Sequence, residues 1–382
     1  MGMKAGAEFP GGRRYNAYVD YLRGRYGSRL QKVVIDAGFT CPNRDGKLGY
    51  GGCTFCDNAA FHPAYSSPDK DILLQIDEGL EFHKGRYRNA NSYLAYFQAY
   101  SNTYGSLEKM KEVYCRALSH PAVCGIVIGT RPDCVDEEKL DFLEALGKGK
   151  ILEGWERDIL PDKARPAESG GTECQGSAHQ FRKSTEEARK VRHITAPVVI
   201  VEYGIESCYD ATLRRVNRGH DFETARKAVC MTAGRGIETG AHFMLGLPGE
   251  TREMMMGECA AINSLPLTSV KFHQLQIVRG TAMEKEFERH PEDFCRFTLG
   301  EYIDFFTAML ERLKPELSIE RFAGEIPPRF VTGTPWGLVR NAELVKMLER
   351  RLEELDTWQG RMYNAGQDTA GQELGNLENT GI

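Results

Sequence analysis

The sequence predicts an α/β protein, a partial (β/α)6 barrel with a mostly helical C-terminal extension. Three observations predict it. Short apolar, β-branched runs alternate with segments of helical periodicity about six times, which implies parallel βαβ units joined by right-handed crossovers. A glycine-rich loop with three cysteines follows the first of those runs directly, and the working loops of such barrels sit at the C-terminal ends of their strands. The chain has 382 residues, enough for one large domain or two ordinary ones.

Tyr18, Tyr21, Leu22 and Tyr26 fall at helical spacing and mark a short helix over 15–25. Lys32-Val-Val-Ile-Asp36 reads as a buried first strand, and the cysteine loop follows it. Ser67-Pro-Asp-Lys-Asp caps a helix running to about residue 86, with Ile72, Leu73, Ile76, Leu80 and Phe82 as its apolar residues. The aromatic run 92–100 is the second strand, its rings assigned to core packing. A helix over 106–117 leads to the third strand, 124–129, and an acid-led helix over 136–146 follows.

Periodicity then lapses over 147–193, and 162–176 is rich in Glu, Ser, Gly and Pro, which marks a disordered insertion. Order returns with the fourth strand (196–204), helices over 209–216 and 222–235, the fifth strand (238–245), a helix over 251–262 and the sixth strand (269–277). Beyond Gly280 come a helix over 299–313, a further strand at 316–322 and a final helix over 340–356. The predicted division is a flexible N-terminus (1–14), the barrel (15–285), an extension packed on it (286–364) and a disordered tail (365–382).

A net charge of −5 gives the chain no global pull toward nucleic acid or anionic lipid. No apolar run approaches transmembrane length, and the first fourteen residues lack the apolar core of a secretory signal. The expected compartment is the cytoplasm, where thiols stay reduced, and no membrane association is expected.

The cysteines Cys41, Cys53 and Cys56 are spaced Cys-x11-Cys-x2-Cys, with a proline, an Asp-Gly and further glycines between the first two. Such loop chemistry lets three thiolates converge on one centre. A closed zinc site takes four ligands, and His62 lies close enough in sequence to complete a Cys3His set, so a zinc-stabilised binding protein is one reading. An iron–sulfur cubane takes one thiolate per iron, so three cysteines leave one iron open to another ligand. A purely electron-carrying cluster would want a fourth cysteine, and none is near. A disulfide framework would leave one of the eleven cysteines unpaired.

Several further motifs coincide in order: Asp36-Ala-Gly-Phe-Thr-Cys-Pro-Asn-Arg-Asp-Gly46 with Gly51-Gly-Cys-Thr-Phe-Cys56, Tyr96-Phe-Gln-Ala-Tyr-Ser-Asn-Thr-Tyr104, Gly129-Thr-Arg-Pro-Asp-Cys134, Val201-Glu-Tyr-Gly-Ile-Glu-Ser207, Asn217-Arg-Gly-His-Asp221 and Gly246-Leu-Pro-Gly-Glu-Thr251. Over about 15–360, outside the insertion, the chain resembles the YhcC-type radical S-adenosylmethionine (SAM) family, a branch related to the catalytic subunit of elongator. The resemblance implies a TIM-like radical SAM barrel in which Cys41, Cys53 and Cys56 hold a [4Fe-4S] cluster. It places Phe55 near the cluster and adenine, Glu206 at the SAM ribose, Arg218 on the SAM carboxylate, and the Gly246–Pro248 backbone near the adenine. It also implies reductive cleavage of SAM to a 5′-deoxyadenosyl radical, fed by an electron donor such as flavodoxin or ferredoxin.

Cys134 and Cys208 follow strands three and four and are candidates for hydrogen-atom donation or sulfur chemistry, against the commoner inert buried thiol. His220 and His273 are candidate proton carriers, and Arg131 a substrate-binding candidate. The substrate stays open between RNA, which the elongator relationship favours, and a small molecule, which the mild acidity and short basic clusters allow.

Overall fold

The computed structural model describes residues 9–58, 62–84, 92–150, 196–333, 336 and 339–365. The predicted insertion from residue 151 onward and the predicted tail from residue 366 lie outside the described residues.

Seven parallel strands form one curled sheet, a half-barrel, in sequence order. They are β1 (Leu30–Ile35), β2 (Ser92–Phe97), β3 (Val123–Thr130), β4 (Val198–Glu206), β5 (Glu238–Leu245), β6 (Ser269–Gln274) and β7 (Ser318–Arg321). The six expected strands are all present, and the further strand at 316–322 joins them as β7. The helices are α1 (Tyr18–Tyr26), α2 (Ile72–Lys84), α3 (Leu107–Leu118), α4 (Glu137–Gly147), α5 (Asp210–Arg215), α6 (Phe222–Gly234), α7 (Arg252–Ser264), α8 (Ala282–Arg289), α9 (Leu299–Arg312) and α10 (Asn341–Glu354). Among the described residues, no helix is long and apolar enough to cross a membrane.

Side-chain alternation divides the sheet's two faces. Ile35, Ala95, Phe97, Ile126, Ile128, Val199, Val201, Phe243, Val270 and Phe272 face outward and build the main core with the surrounding helices. Leu30, Leu94, Val127, Val198 and Ile200 face inward near the N-terminal ends of the strands, where Tyr18 and Leu22 of α1 pack on them. α1 therefore plugs the floor of the half-barrel.

Caps fix where the loops stop. Ser106, Asp136, Asp221, Thr251, Thr281 and Thr298 each accept a hydrogen bond from the backbone N–H three residues on, at the starts of α3, α4, α6, α7, α8 and α9. Before α2 the cap comes from the last residue of the expected Ser67–Asp71 segment: Asp71 accepts from Leu73 N–H.

The N-terminal segment is clasped by the end of the described chain. Asn16 N–H donates to Gln359 Oε1 at 2.9 Å, Gln359 N–H donates to the Arg14 carbonyl at 2.9 Å, and Ile319 N–H of β7 donates to the Asn16 carbonyl at 2.7 Å. Arg14 pairs with Asp356 at 2.9 Å, and Arg13 pairs with Asp20 and Glu349.

Candidate active site

The loop after β1 is folded by its own backbone. Arg44 N–H and Asp45 N–H donate to the Cys41 carbonyl, Leu48 N–H to the Pro42 carbonyl, Gly52 N–H to the Asn43 carbonyl and Cys56 N–H to the Cys53 carbonyl. Asn43 ties this loop to the β4–α6 region: its Nδ2 donates to the Asn217 and Arg218 carbonyls at 2.6 and 3.1 Å, and reaches Cys53 Sγ at 3.7 Å. Asn217 returns a bond to the Gly52 carbonyl at 2.8 Å. Gly219 permits this close approach, since φ is +77° and a Cβ there would stand 2.6 Å from Asn43 Oδ1.

Cys41, Cys53 and Cys56 thereby reach one cavity of about 220 Å³ at the mouth of the half-barrel. A water needs only ~10–15 Å³ by the same measure, so the space suits a ligand of many atoms. Phe55, His62, Tyr100, Arg131, Glu206 and Arg218 line the same end. Two guanidiniums are aimed at the sulfurs: Arg131 Nη1 stands 3.8 Å from Cys41 Sγ, and Arg218 Nη1 stands 3.5 Å from Cys53 Sγ. Arg131 is 2% exposed and is held by Asp133 through bonds of 2.9 and 2.8 Å. Burial acts to lower the Arg218 pKa, but the Cys53 sulfur and Glu206 outweigh it and the net shift is upward. Burial, with Cys53 beside it, pushes the Cys56 thiol up, against Arg44.

Glu206 sits at a register shift between β4 and β5 and has φ +74°, the left-handed region that a non-glycine residue enters at a cost. The bulge turns its carboxylate into the cavity, 3.7 Å from Arg218 Nη2. Gly204 makes this possible, because a Cβ there would meet both Arg218 Nη2 and Glu206 Oε1 at 2.6 Å.

Below this end lies a layer of charge inside the half-barrel that sequence reasoning missed. Glu202, 1% exposed, accepts from Lys271 Nζ at 2.6 Å, Lys32 Nζ at 2.5 Å and His242 Nε2 at 3.2 Å. Lys32 also pairs with Glu320 at 2.6 Å, and Lys271 Nζ lies 4.7 Å from the centre of the Tyr96 ring. Tyr96, Glu202, His242, Lys271, His273 and Arg321 line the same cavity. Burial opposes ionisation of Glu202, but Lys271, Lys32 and His242 reverse that, and its pKa is held well below the carboxylate range. Burial, then the charge of Arg321, keeps His273 neutral. The signal for this layer was available: a charge at an inward register position of an otherwise apolar strand, as at Glu202 and Lys271.

The remaining predicted residues do not gather here. Gly246 lines a neighbouring cavity of about 40 Å³ with Trp336 and Phe297, and Pro248 is buried in the turn after β5. Neither Cys134 nor Cys208 lines the cavity. Burial pushes the Cys134 thiol up to about 12, and burial with Glu258 and Glu250 raises Cys208 further. His220 is away from the cavity wall, bonded to the Asp221 carbonyl, and burial with Arg218 lowers its pKa to about 3.

The donor set suits a cluster. His62 turns its Nδ1 to Asp36, 3.5 Å away, and among the described residues no three His, Cys, Asp or Glu side chains are grouped to hold a single metal ion. A cubane spreads its thiolates over separate irons, a looser requirement than one tetrahedral zinc. Arg218 Nε and His62 Nε2 are buried without a hydrogen-bond partner, so polar groups stand ready at the edge of the thiolates.

Comparison with known proteins accords with this geometry. A family model described as the Radical_SAM C-terminal domain matches residues 267–354, from β6 through α10. YtqA of Bacillus subtilis (strain 168) is 28% identical over 351 residues, 92% of this chain and 93% of that one. The protein YhcC of Escherichia coli (strain K12) is 30% identical over 273 residues, 72% of each chain. Among solved structures, the archaeal Methanocaldococcus infernus Elp3 superposes with a TM-score of 0.56 at 15% identity, over 86% of this chain. This chain spans 64% of that structure, and the likeness is one of fold. The half-barrel with its three-cysteine loop after β1, taken with these relatives, establishes that the chain belongs to the YhcC-type radical SAM family, near the elongator branch.

Proposed function

We propose that Cys41, Cys53 and Cys56 hold a [4Fe-4S] cluster and that SAM occupies the upper part of the cavity, making the protein a radical SAM enzyme that abstracts hydrogen from its substrate. The observation that carries this reading is the pair of buried guanidiniums, Arg131 and Arg218, directed at the sulfurs of Cys41 and Cys53 in one cavity. Bound together, the cluster and SAM supply a 5′-deoxyadenosyl radical after one-electron reduction, by a donor such as flavodoxin or ferredoxin.

The chain's own residues have separable tasks. Arg131 and Arg218 place positive charge beside the sulfurs of Cys41 and Cys53, where it would offset the negative charge of a bound cluster. Arg218, a planar fork with an unpartnered Nε, is shaped to grip the SAM carboxylate. Glu206 accepts from the ribose hydroxyls. Phe55 and Met244 pack against the cluster of Val216, Leu247 and Phe294 and line the cavity with the three cysteines. The floor formed by α1 keeps bulk water out from below.

The test is anaerobic reconstitution with iron and sulfide, then SAM and a strong reductant, with 5′-deoxyadenosine scored by mass spectrometry in wild type and Cys53→Ala. Product in wild type alone supports the reading. Stoichiometric zinc with no iron uptake would overturn it and return attention to His62.

A further inference from the structure

The buried layer inside the half-barrel is not neutral. Lys32 and Lys271 are matched by Glu202 and Glu320, all four within one network of 2.5 to 3.3 Å pairs. Arg321 is left over: it lines the cavity, and among the described residues no carboxylate pairs with it. Its placement is built rather than incidental. The β6–β7 register shifts after Val270, so Lys271 opposes Arg321 and Glu320 is the extra residue. A bulge of this kind re-aims a side chain. Here it lets Glu320 reach Lys32 while Arg321, next along the strand, also turns to the interior.

A second group points the same way. His273 lines the cavity beside Lys271, and its Nε2 is buried with no hydrogen-bond partner. Gly324 lets the ring sit there, since a Cβ would stand 2.8 Å from His273 Nδ1. Burial and the Arg321 charge keep the imidazole neutral, so one ring nitrogen can donate without adding charge. A half-buried guanidinium with no counter-ion and a buried ring nitrogen with no partner leave desolvation uncompensated unless a ligand completes them.

We propose that Arg321, with His273, is the anchor for an anionic group, a carboxylate or a phosphate, on a small-molecule substrate. This rests on the radical SAM reading of the same cavity and names the class of its substrate. A guanidinium fork matches either oxyanion bidentately. The anchor lies on β7, across the half-barrel from the thiolate loop that follows β1, so a substrate held there by its anionic end extends toward the thiolates. One Arg without a carboxylate partner among the described residues, set inside a cavity floored by α1, suits one anionic group, whereas nucleic acid is held by rows of surface cations.

The experiment follows thermal unfolding of the full chain at constant ionic strength, with chloride replaced stepwise by acetate or by inorganic phosphate. Wild type, Arg321→Gln, Arg321→Lys and the exposed control Arg329→Gln are compared, each checked for native circular dichroism. The expected result is a rise in Tm for wild type and Arg329→Gln in one of the two anions, which identifies the group. Arg321→Gln loses about 10- to 100-fold in apparent affinity, as removal of a charged hydrogen bond does, and Arg321→Lys recovers part of it. SAM affinity of reconstituted Arg321→Gln stays at the wild-type value. An equal response in Arg321→Gln, or none in wild type, would overturn the proposal. So would loss of SAM binding, which would assign Arg321 to the cofactor, or loss of bulk tRNA binding where small anions have no effect, which would assign it to RNA. Wild type that binds the anion yet yields no 5′-deoxyadenosine counts against the radical SAM reading and leaves the anion site standing.

Discussion

Arg218 Nη1 lies 3.5 Å from Cys53 Sγ while its Nη2 donates to the Gly204 carbonyl at 2.5 Å, so one guanidinium joins the thiolate loop to the end of β4. The residue is 7% exposed, and its position depends on the missing side chain of Gly204. Arg218→Lys keeps the charge and loses the fork, and is expected to weaken SAM binding by about 10- to 100-fold, with iron content little changed. Gly204→Ala should act in the same direction by displacing the guanidinium. Equilibrium binding of SAM to reconstituted protein checks both.

Each of Cys41→Ser, Cys53→Ser and Cys56→Ser should abolish retention of iron and acid-labile sulfide. The outward-facing core does not involve these residues, so the far-ultraviolet dichroism should stay native. Elemental analysis after reconstitution decides it. Full iron occupancy in Cys56→Ser, the least buried of the three, would remove that residue from the ligand set.

Lys271→Met leaves Glu202 with Lys32 and His242 as its remaining partners. Breaking a buried ion pair from one side costs about 3–5 kcal/mol, and the surviving pair should hold the loss toward the lower figure. Denaturant unfolding measures it. The folded carboxyl of Glu202 is depressed, so its contribution is fully present above the ordinary glutamate pKa and is lost as pH falls through the folded value. Wild type should therefore lose more stability than Lys271→Met as the solution is acidified below about pH 4.

Glu250 behaves oppositely. It accepts from Ser207 Oγ at 2.5 Å in a buried site, and burial raises its pKa to about 7. Both states are protonated below the ordinary glutamate pKa, so no penalty exists there. As pH rises through that value the unfolded chain ionises first, and stability falls until the folded carboxyl ionises near 7. Glu250→Gln should therefore stabilise the protein by about 2–3 kcal/mol at pH 8 and by little at pH 4. Urea midpoints at the two pH values test the sign.

Much of the architecture is legible in the chain because outward-facing strand residues and helix caps are local signals. Ile126 and Ile128, or Thr251 before α7, announce themselves by composition and position. The thiolate loop is legible for the same reason, since Cys41, Cys53 and Cys56 lie within one turn-rich segment. The charged layer is legible only as isolated charges in apolar strands, without their pairing. Glu202, Lys271 and Lys32 come from β4, β6 and β1, and a single charge in an apolar strand has no visible partner until the sheet curls. The role of Arg321 depends on a one-residue slip between β6 and β7, which no pattern in either strand encodes. Gly246 shows the converse: the Gly-Leu-Pro-Gly turn is conspicuous in the sequence, yet its first glycine lines the neighbouring cavity.

The clasp between Asn16 and Gln359 bears on how the molecule is made. Those two residues are 343 positions apart, and β7 hydrogen-bonds to the Asn16 carbonyl between them. During synthesis the α1 plug emerges first but gains its last anchors only when residue 359 has been translated. Loops of that length close late and slowly. The last of these anchors forms only after residue 359 has left the ribosome, so the floor of the cavity is secured later than the strands it closes.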